Sequence, residues 1–229
     1  TAFLRITDAR AALASGTLHA RLELFSEDEA RNVEVEGQSV PLEFETSSAL
    51  AYRLEGPPIW WSEIRDFLYG GVVPRVTAAP EDQVLFLEPY QPGRIPVVLV
   101  HGTASSFQRW AELVNELKSD SRLSQRYQIW LYRYDSGNPI GFSAGVFRQA
   151  LSDTLKALDP DRRDLALEQM VVIGHSQGGL LTKLTAVDSG DSFWRNMSEK
   201  PLAELDLDPE QRAVIERSTF FAPLPFVKR

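Results

Sequence analysis

The stretch VVIGHSQGGLL, Val171 to Leu181, sets Ser176 midway between Gly174 and Gly178. A serine hydroxyl becomes a useful nucleophile when a base takes its proton and the backbone holds it clear of neighbouring groups. Glycines two residues away on both sides relieve the crowding of a strained turn that would do this. The apolar run before the turn reads as a buried strand, and the residues after it as a helix. The first amides of that helix favour negative charge beside the hydroxyl. The chemistry such an elbow serves is acyl transfer, with Ser176 as nucleophile. The plain alternative is a glycine-rich turn whose serine merely caps a helix.

A second segment carries the complementary chemistry. His101-Gly102-Thr103 also follows an apolar strand and precedes a helix. Acyl transfer passes through a tetrahedral oxyanion, which needs two preorganised N–H donors. The backbone N–H of Gln177, next to the nucleophile, is one candidate. The N–H of Thr103 is the other. His175, His101 and Gly102 are then supports of the elbow and the loop, alongside Gly174 and Gly178.

These segments need a scaffold. QVLFLEPY from Gln83 is a strand candidate, and IPVVLV before His101 is a continuous apolar run, as in a strand buried on both faces. SSFQRWAELVNELK puts Phe107, Trp110, Val114 and Leu117 on one helical face, with Ser105 and Gln108 spaced as a capping box. YQIWLYRYD is the next strand, Ser143 to Leu158 the next helix, MVVIGHS the third parallel strand, and Gly179 to Val187 its helix. Strands alternating with amphipathic helices predict an α/β fold with a mostly parallel sheet.

Before Gln83 the pattern is a β/α extension, residues 1–82. Asp8 to Ala14 reads as a short helix capped by Thr7 or Asp8 and stopped at Gly16. Leu18, Ala20, Leu22 and Leu24 alternate as in a half-buried strand, Glu27 to Glu29 as a solvated turn. Val33, Val35, Val40, Leu42 and Phe44 alternate around Gly37 as in a hairpin, with Pro41 suited to an edge. PPIWWSEIRDFLYGG gathers Trp60, Ile64, Phe67 and Leu68 on one helical face, as core or as an aromatic wall that with Trp61 lines an acyl pocket. After the 83–189 core, residues 190–229 form a lid or a connector, with Asp208 and Pro209 opening a helix to about Arg217.

PVVLVHG, GHSQGG and the strand–helix order together resemble the α/β-hydrolase superfamily, in particular bacterial lipases and esterases. The resemblance spans about Gln83 to Val187, the first part of such a core. It implies carboxylic-ester hydrolysis through an acyl-enzyme on Ser176, with Thr103 and Gln177 at the oxyanion. It also implies that a triad acid and a histidine follow the serine in the chain.

No histidine follows Ser176. His175 shares its tight turn and points elsewhere. His101 serves better in shaping the oxyanion loop, and His19 lies in the N-terminal strand. Among the acids, Asp188, Asp191, Asp206 and Asp208 precede any further sheet strand, and Asp135 precedes the serine. A sheet stopping at the elbow strand would expose a long apolar edge, and PFVKR reads as the approach to another strand. The expectation is that the triad acid and histidine are not in this chain. A second polypeptide fragment, or a longer chain, completes sheet and triad; Lys228-Arg229 fits a trypsin-like nick.

The 229 residues fit one domain with a small subdomain, and 43% hydrophobic and 24% charged residues are ordinary for a globular protein. A net charge of −8 opposes nucleic acid as a partner. Without cysteine the chain has no disulfide, thiolate metal site or cysteine nucleophile. Histidine spacing implies no metal, and GHSQGG lacks the spacing of a nucleotide cofactor site. No apolar run approaches the ~18 residues of a membrane span. The substrate expected is an ester with an apolar acyl group. A thioesterase, acyltransferase or amidase would use the same elbow, and a non-catalytic binding domain is the alternative outside enzymes. An exported location is read from the Thr1 start and the lipase resemblance.

Overall fold

A computed structural model describes residues 1–6, 8–25, 30, 32–43, 83–105 and 107–228. The chain divides into two compact units, Thr1–Tyr52 and Arg53–Arg229. The expected helix around Trp60, Trp61, Ile64, Phe67 and Leu68 lies outside the described residues. So do the turn at 27–29, Thr7, Phe44 and the side chains of the Ser105–Gln108 box beyond Ser105.

In the first unit, β1 (Ala2–Ile6) pairs antiparallel with β2 (Ala20–Leu24), and α1 (Ala9–Ser15) joins them. Asp8 caps α1 by accepting from the Ala11 N–H, and Gly16 closes it in the left-handed conformation. β3 (Asn32–Val35) and β4 (Gln38–Pro41) form the hairpin around Gly37. Glu36 and Gly37 both have positive φ, 49° and 78°, as a two-residue hairpin turn requires. The half-buried expectation for β2 needs correction: Leu22 and Leu24 are 62% and 72% exposed. The better covered face is the polar one, where Arg5 grips Glu23 with two hydrogen bonds of 3.0 and 3.1 Å and donates to the Glu34 carbonyl. Period-two alternation decides which residues share a face, not whether anything covers it.

Among the described residues, the second unit is a mixed α/β structure around a four-stranded sheet of order β5-β7-β6-β8. β6 (Ile95–Val100) is central and buried throughout, which explains its unbroken apolar run. β7 (Tyr127–Arg133) and β8 (Val171–Gly174) flank it in parallel register. β5 (Gln83–Phe86) pairs antiparallel with β7, so the sheet is mixed. The crossover from β6 to β7 carries α2 (Ala111–Ser119) and α3 (Ser121–Arg126). That from β7 to β8 carries α4 (Ile140–Leu158), which starts three residues before Ser143, directly after Pro139.

After β8 come α5 (Gln177–Ala186), α6 (Ser192–Arg195) and α7 (Pro209–Thr219). Asp208 and Gln211 make the reciprocal capping box of α7, with Pro209 in its first turn. The main core gathers Val98, Val100, Trp130, Tyr132, Phe147, Leu151, Leu167, Met170, Leu181 and Phe221. Phe221 brings the last segment into this core at 2% exposure. The Arg148 guanidinium holds it there, donating to the carbonyls of Leu184 (2.8 Å) and Ala222 (2.6 Å) while standing over the Phe221 ring. The chain then reaches the outer edge of β8. Met170 and Val227 form a parallel bridge, and the Lys228 N–H donates to the Met170 carbonyl at 2.9 Å.

Candidate active site

Three loops at the C-terminal ends of parallel strands meet at Ser176. The first is the elbow itself. The His175 N–H donates to the Val100 carbonyl (3.0 Å), extending the β6–β8 ladder to the residue before the serine. Ser176 then takes φ 54° and ψ −122°, a conformation that costs a non-glycine residue about 1–3 kcal/mol. Gly178 and Gly179 N–H groups bond back to the His175 and Ser176 carbonyls at 2.9 and 2.8 Å, closing the turn into α5. Ser176 occupies the N-cap position, yet its hydroxyl makes no capping hydrogen bond, and the residue is exposed.

Packing explains the glycines. A Cβ on Gly174 would run into the Gly178 carbonyl and the Thr182 hydroxyl, and one on Gly178 into the carbonyls of Val100 and His101. Strand and helix therefore approach backbone to backbone only because both residues lack a side chain.

The second loop, Gly102–Ala104, follows β6. A Cβ on Gly102 would stand 2.9 Å from Ser176 Cβ, 3.0 Å from His175 Nδ1 and 3.1 Å from the His175 carbonyl. The loop thus rests directly against the elbow. The Thr103 hydroxyl donates to Gln177 Oε1 at 2.5 Å, linking the two residues expected to supply oxyanion amides. Gln177 lies in the first turn of α5, where amides have no intrahelical acceptor.

His101 is buried behind this loop, 4% exposed. Its Nδ1 lies 3.0 Å from the Gly102 carbonyl, and its Nε2 faces the Tyr134 N–H at 3.4 Å. A carbonyl needs a donor and an N–H an acceptor, so the ring is the neutral Nδ1–H tautomer. Burial pushes the imidazole pKa down, in keeping with a neutral ring. Tyr134 stacks on it, centroids 4.5 Å apart, and donates its hydroxyl to the His101 carbonyl at 3.0 Å. Both ring nitrogens are thus engaged away from Ser176. The Nδ1 of His175 is buried beside Gly102 without a hydrogen-bond partner among the described residues.

Three of the acids after the serine serve local structure. Asp188 accepts from the Gly190 N–H (2.8 Å), Asp191 pairs with Arg195 (2.7 Å) and Asp208 caps α7. Asp135 accepts from the Gly137 N–H (2.8 Å) in the loop after β7. Among the described residues no cluster of three His, Asp or Glu side chains is arranged for a metal ion. No helix among them is long and apolar enough to cross a membrane.

Tyr134 and Ser136 are neighbours of the site that the motifs did not reveal. Both sit at the end of β7, the third strand whose C-terminal end faces the elbow. The signal available was the turn sequence Asp-Ser-Gly-Asn-Pro closing that strand.

No protein-family model matches the chain. No curated protein matches it either. Among solved structures, it is similar to a Bacillus subtilis protein described only as a candidate hydrolase. The two share 13% identity over 81% of this chain and 76% of the other, with a TM-score of 0.28, a likeness too remote to carry fold or function across.

Proposed function

We propose that this chain carries the nucleophile and oxyanion site of a serine hydrolase acting on carboxylic esters with an apolar acyl group. The observation that carries the reading is Ser176: a strained, exposed serine between strand and helix, its hydroxyl unused by the helix it precedes. The order β5-β7-β6-β8, with β5 antiparallel and the elbow after β8, supports the α/β-hydrolase arrangement that the motifs resemble.

In this reading Ser176 Oγ attacks the ester carbonyl carbon as a histidine takes its proton. The carbonyl oxygen becomes an oxyanion held by the N–H groups of Thr103 and Gln177. Collapse expels the alcohol, which takes the proton from the imidazolium. Water then attacks the acyl-enzyme with the same histidine as base and releases the acid. The N-terminus of α5 adds favourable potential for the oxyanion.

The histidine and its acid are proposed to lie on polypeptide outside these 229 residues. His101 is neutral, buried and doubly engaged. The outer edge of β8 supports where that polypeptide would add, since Met170, Val227 and Lys228 already begin a parallel pairing there. Residues 190–229 are then the connector leading to that edge.

A fluorophosphonate probe tests the reading. The protein, with any polypeptide that co-purifies, is expected to label once per chain and to hydrolyse p-nitrophenyl esters, and Ser176→Ala to lose both. Intact mass under denaturing conditions tells a second polypeptide from a single longer chain. An unlabelled, inactive wild type in its complete assembly would overturn the proposal.

A further inference from the structure

The loop after β7 touches both halves of the oxyanion site. Ser136 Oγ accepts from the Ala104 N–H at 3.1 Å. Its backbone carbonyl accepts from Gln177 Nε2 at 3.2 Å. Gln177 Oε1 accepts from the Thr103 hydroxyl at 2.5 Å. Three hydrogen bonds therefore close a ring through loop 102–104, loop 135–138 and the first residue of α5. Each joins segments more than 30 residues apart in the chain.

Two features make this ring more than loop packing. Ala104 has φ 46°, a left-handed conformation that a non-glycine residue keeps only when its surroundings hold it. Among the described residues, its N–H is held by Ser136. Ser136 is itself fixed: Asp135 Oδ1 accepts from the Gly137 N–H at 2.8 Å, and the Asn138 N–H reaches the Asp135 carbonyl at 3.4 Å. The Thr103 N–H belongs to the Gly102–Thr103 peptide unit, which joins the Thr103–Ala104 unit at the Thr103 Cα. A clamp on the Ala104 amide therefore restrains the Thr103 N–H across one residue, together with the Thr103 hydroxyl bond to Gln177.

We propose that Ser136 is a positioning residue for the oxyanion site, holding the Thr103–Ala104 turn so that the Thr103 and Gln177 amides converge on one point. The role rests on the serine-hydrolase reading. Removing an oxyanion donor outright costs about 10²–10³ in rate. Ser136→Ala leaves both donors present but frees one, so a loss of about tenfold is expected, in kcat rather than KM.

The experiment compares wild type, Ser136→Ala and Ser136→Thr in the complete protein. Amide hydrogen exchange across residues 102–105, fluorophosphonate labelling rate, and kcat and KM for a p-nitrophenyl ester are measured. Ser136→Ala is expected to speed exchange at Ala104 and slow labelling and kcat about tenfold, with KM unchanged. Ser136→Thr retains the acceptor oxygen and is expected to restore both rate and protection. Unchanged exchange in Ser136→Ala, or faster exchange with unchanged rates, overturns the proposal. A wild type that neither labels nor turns over overturns the hydrolase reading and the positioning role with it, and is told apart because it fails before any variant is compared.

Discussion

Gly178 and Gly179 are adjacent and chemically identical, yet the structure assigns them opposite responses to the same change. A Cβ on Gly178 would enter the carbonyls of Val100 and His101 at the end of the central strand, well inside the 3.0 Å that real Cβ atoms keep. A Cβ on Gly179 would meet only the Gly174 carbonyl, at an ordinary 3.5 Å. In Gly178→Ala the helix must back away from β6 by roughly 1 Å, and overpacking of this kind costs about 3 kcal/mol. At a urea dependence of about 3 kcal/mol/M, the unfolding midpoint falls by about 1 M. The same displacement carries the Gln177 amide off the proposed oxyanion position, where a 1 Å misplacement is expected to cost about 10² in rate. Gly179→Ala replaces glycine inside a helix and is expected to be neutral or to stabilise by about 0.5–1 kcal/mol. Urea unfolding followed by circular dichroism, with fluorophosphonate labelling rates, measures both. Equal midpoints for the two variants would refute the backbone-to-backbone account of the elbow.

Stability should also fall in acid through His101. Burial lowers its pKa in the folded protein, while the unfolded imidazole titrates near 6.5. Below about pH 6.5 the unfolded chain binds the extra proton, so stability drops as pH falls, by up to about 1.4 kcal/mol per pH unit until the folded ring also protonates. Urea midpoints from pH 8 to 5 should show this slope in wild type and lose that component in His101→Asn; parallel profiles would count against a buried neutral ring. Phe221→Ala removes a ring that is 2% exposed and lies under Arg148, and should cost about 3–5 kcal/mol. An unchanged thermal midpoint would show that the last segment is not part of the core.

Much of the local structure was legible in the residues. IPVVLV marks the strand buried on both faces, Asp208-Pro209 the start of α7, and Gly37 the hairpin, because burial period, capping chemistry and turn conformation act within a few residues. The start of α4 at Ile140 was missed, because periodicity placed it at Ser143; the proline at the helix entry, which fixes φ in advance, was the local signal for it. The strand–turn–helix around Ser176 was legible for the same reason: Gly174 and Gly178 stand at fixed spacing from the serine.

What tertiary structure alone decided lies between segments distant in sequence. Alternation in β2 grouped Leu22 with Leu24 but could not say that this face stays open and the Arg5–Glu23 face is covered. No local pattern makes β5 pair with β7 rather than β6, since pairing is settled by which edge remains after the parallel strands assemble. His101 acquires its tautomer from Tyr134, 33 residues away, and Gln177 its side-chain partner from Ser136, 41 residues away. Hydrogen bonds of that span have no periodicity to announce them. They form because three strand ends are brought to one edge of a sheet. The sequence alone therefore determined that a serine stands on a strained turn beside a glycine loop; only the packed sheet decided which groups hold that loop in place.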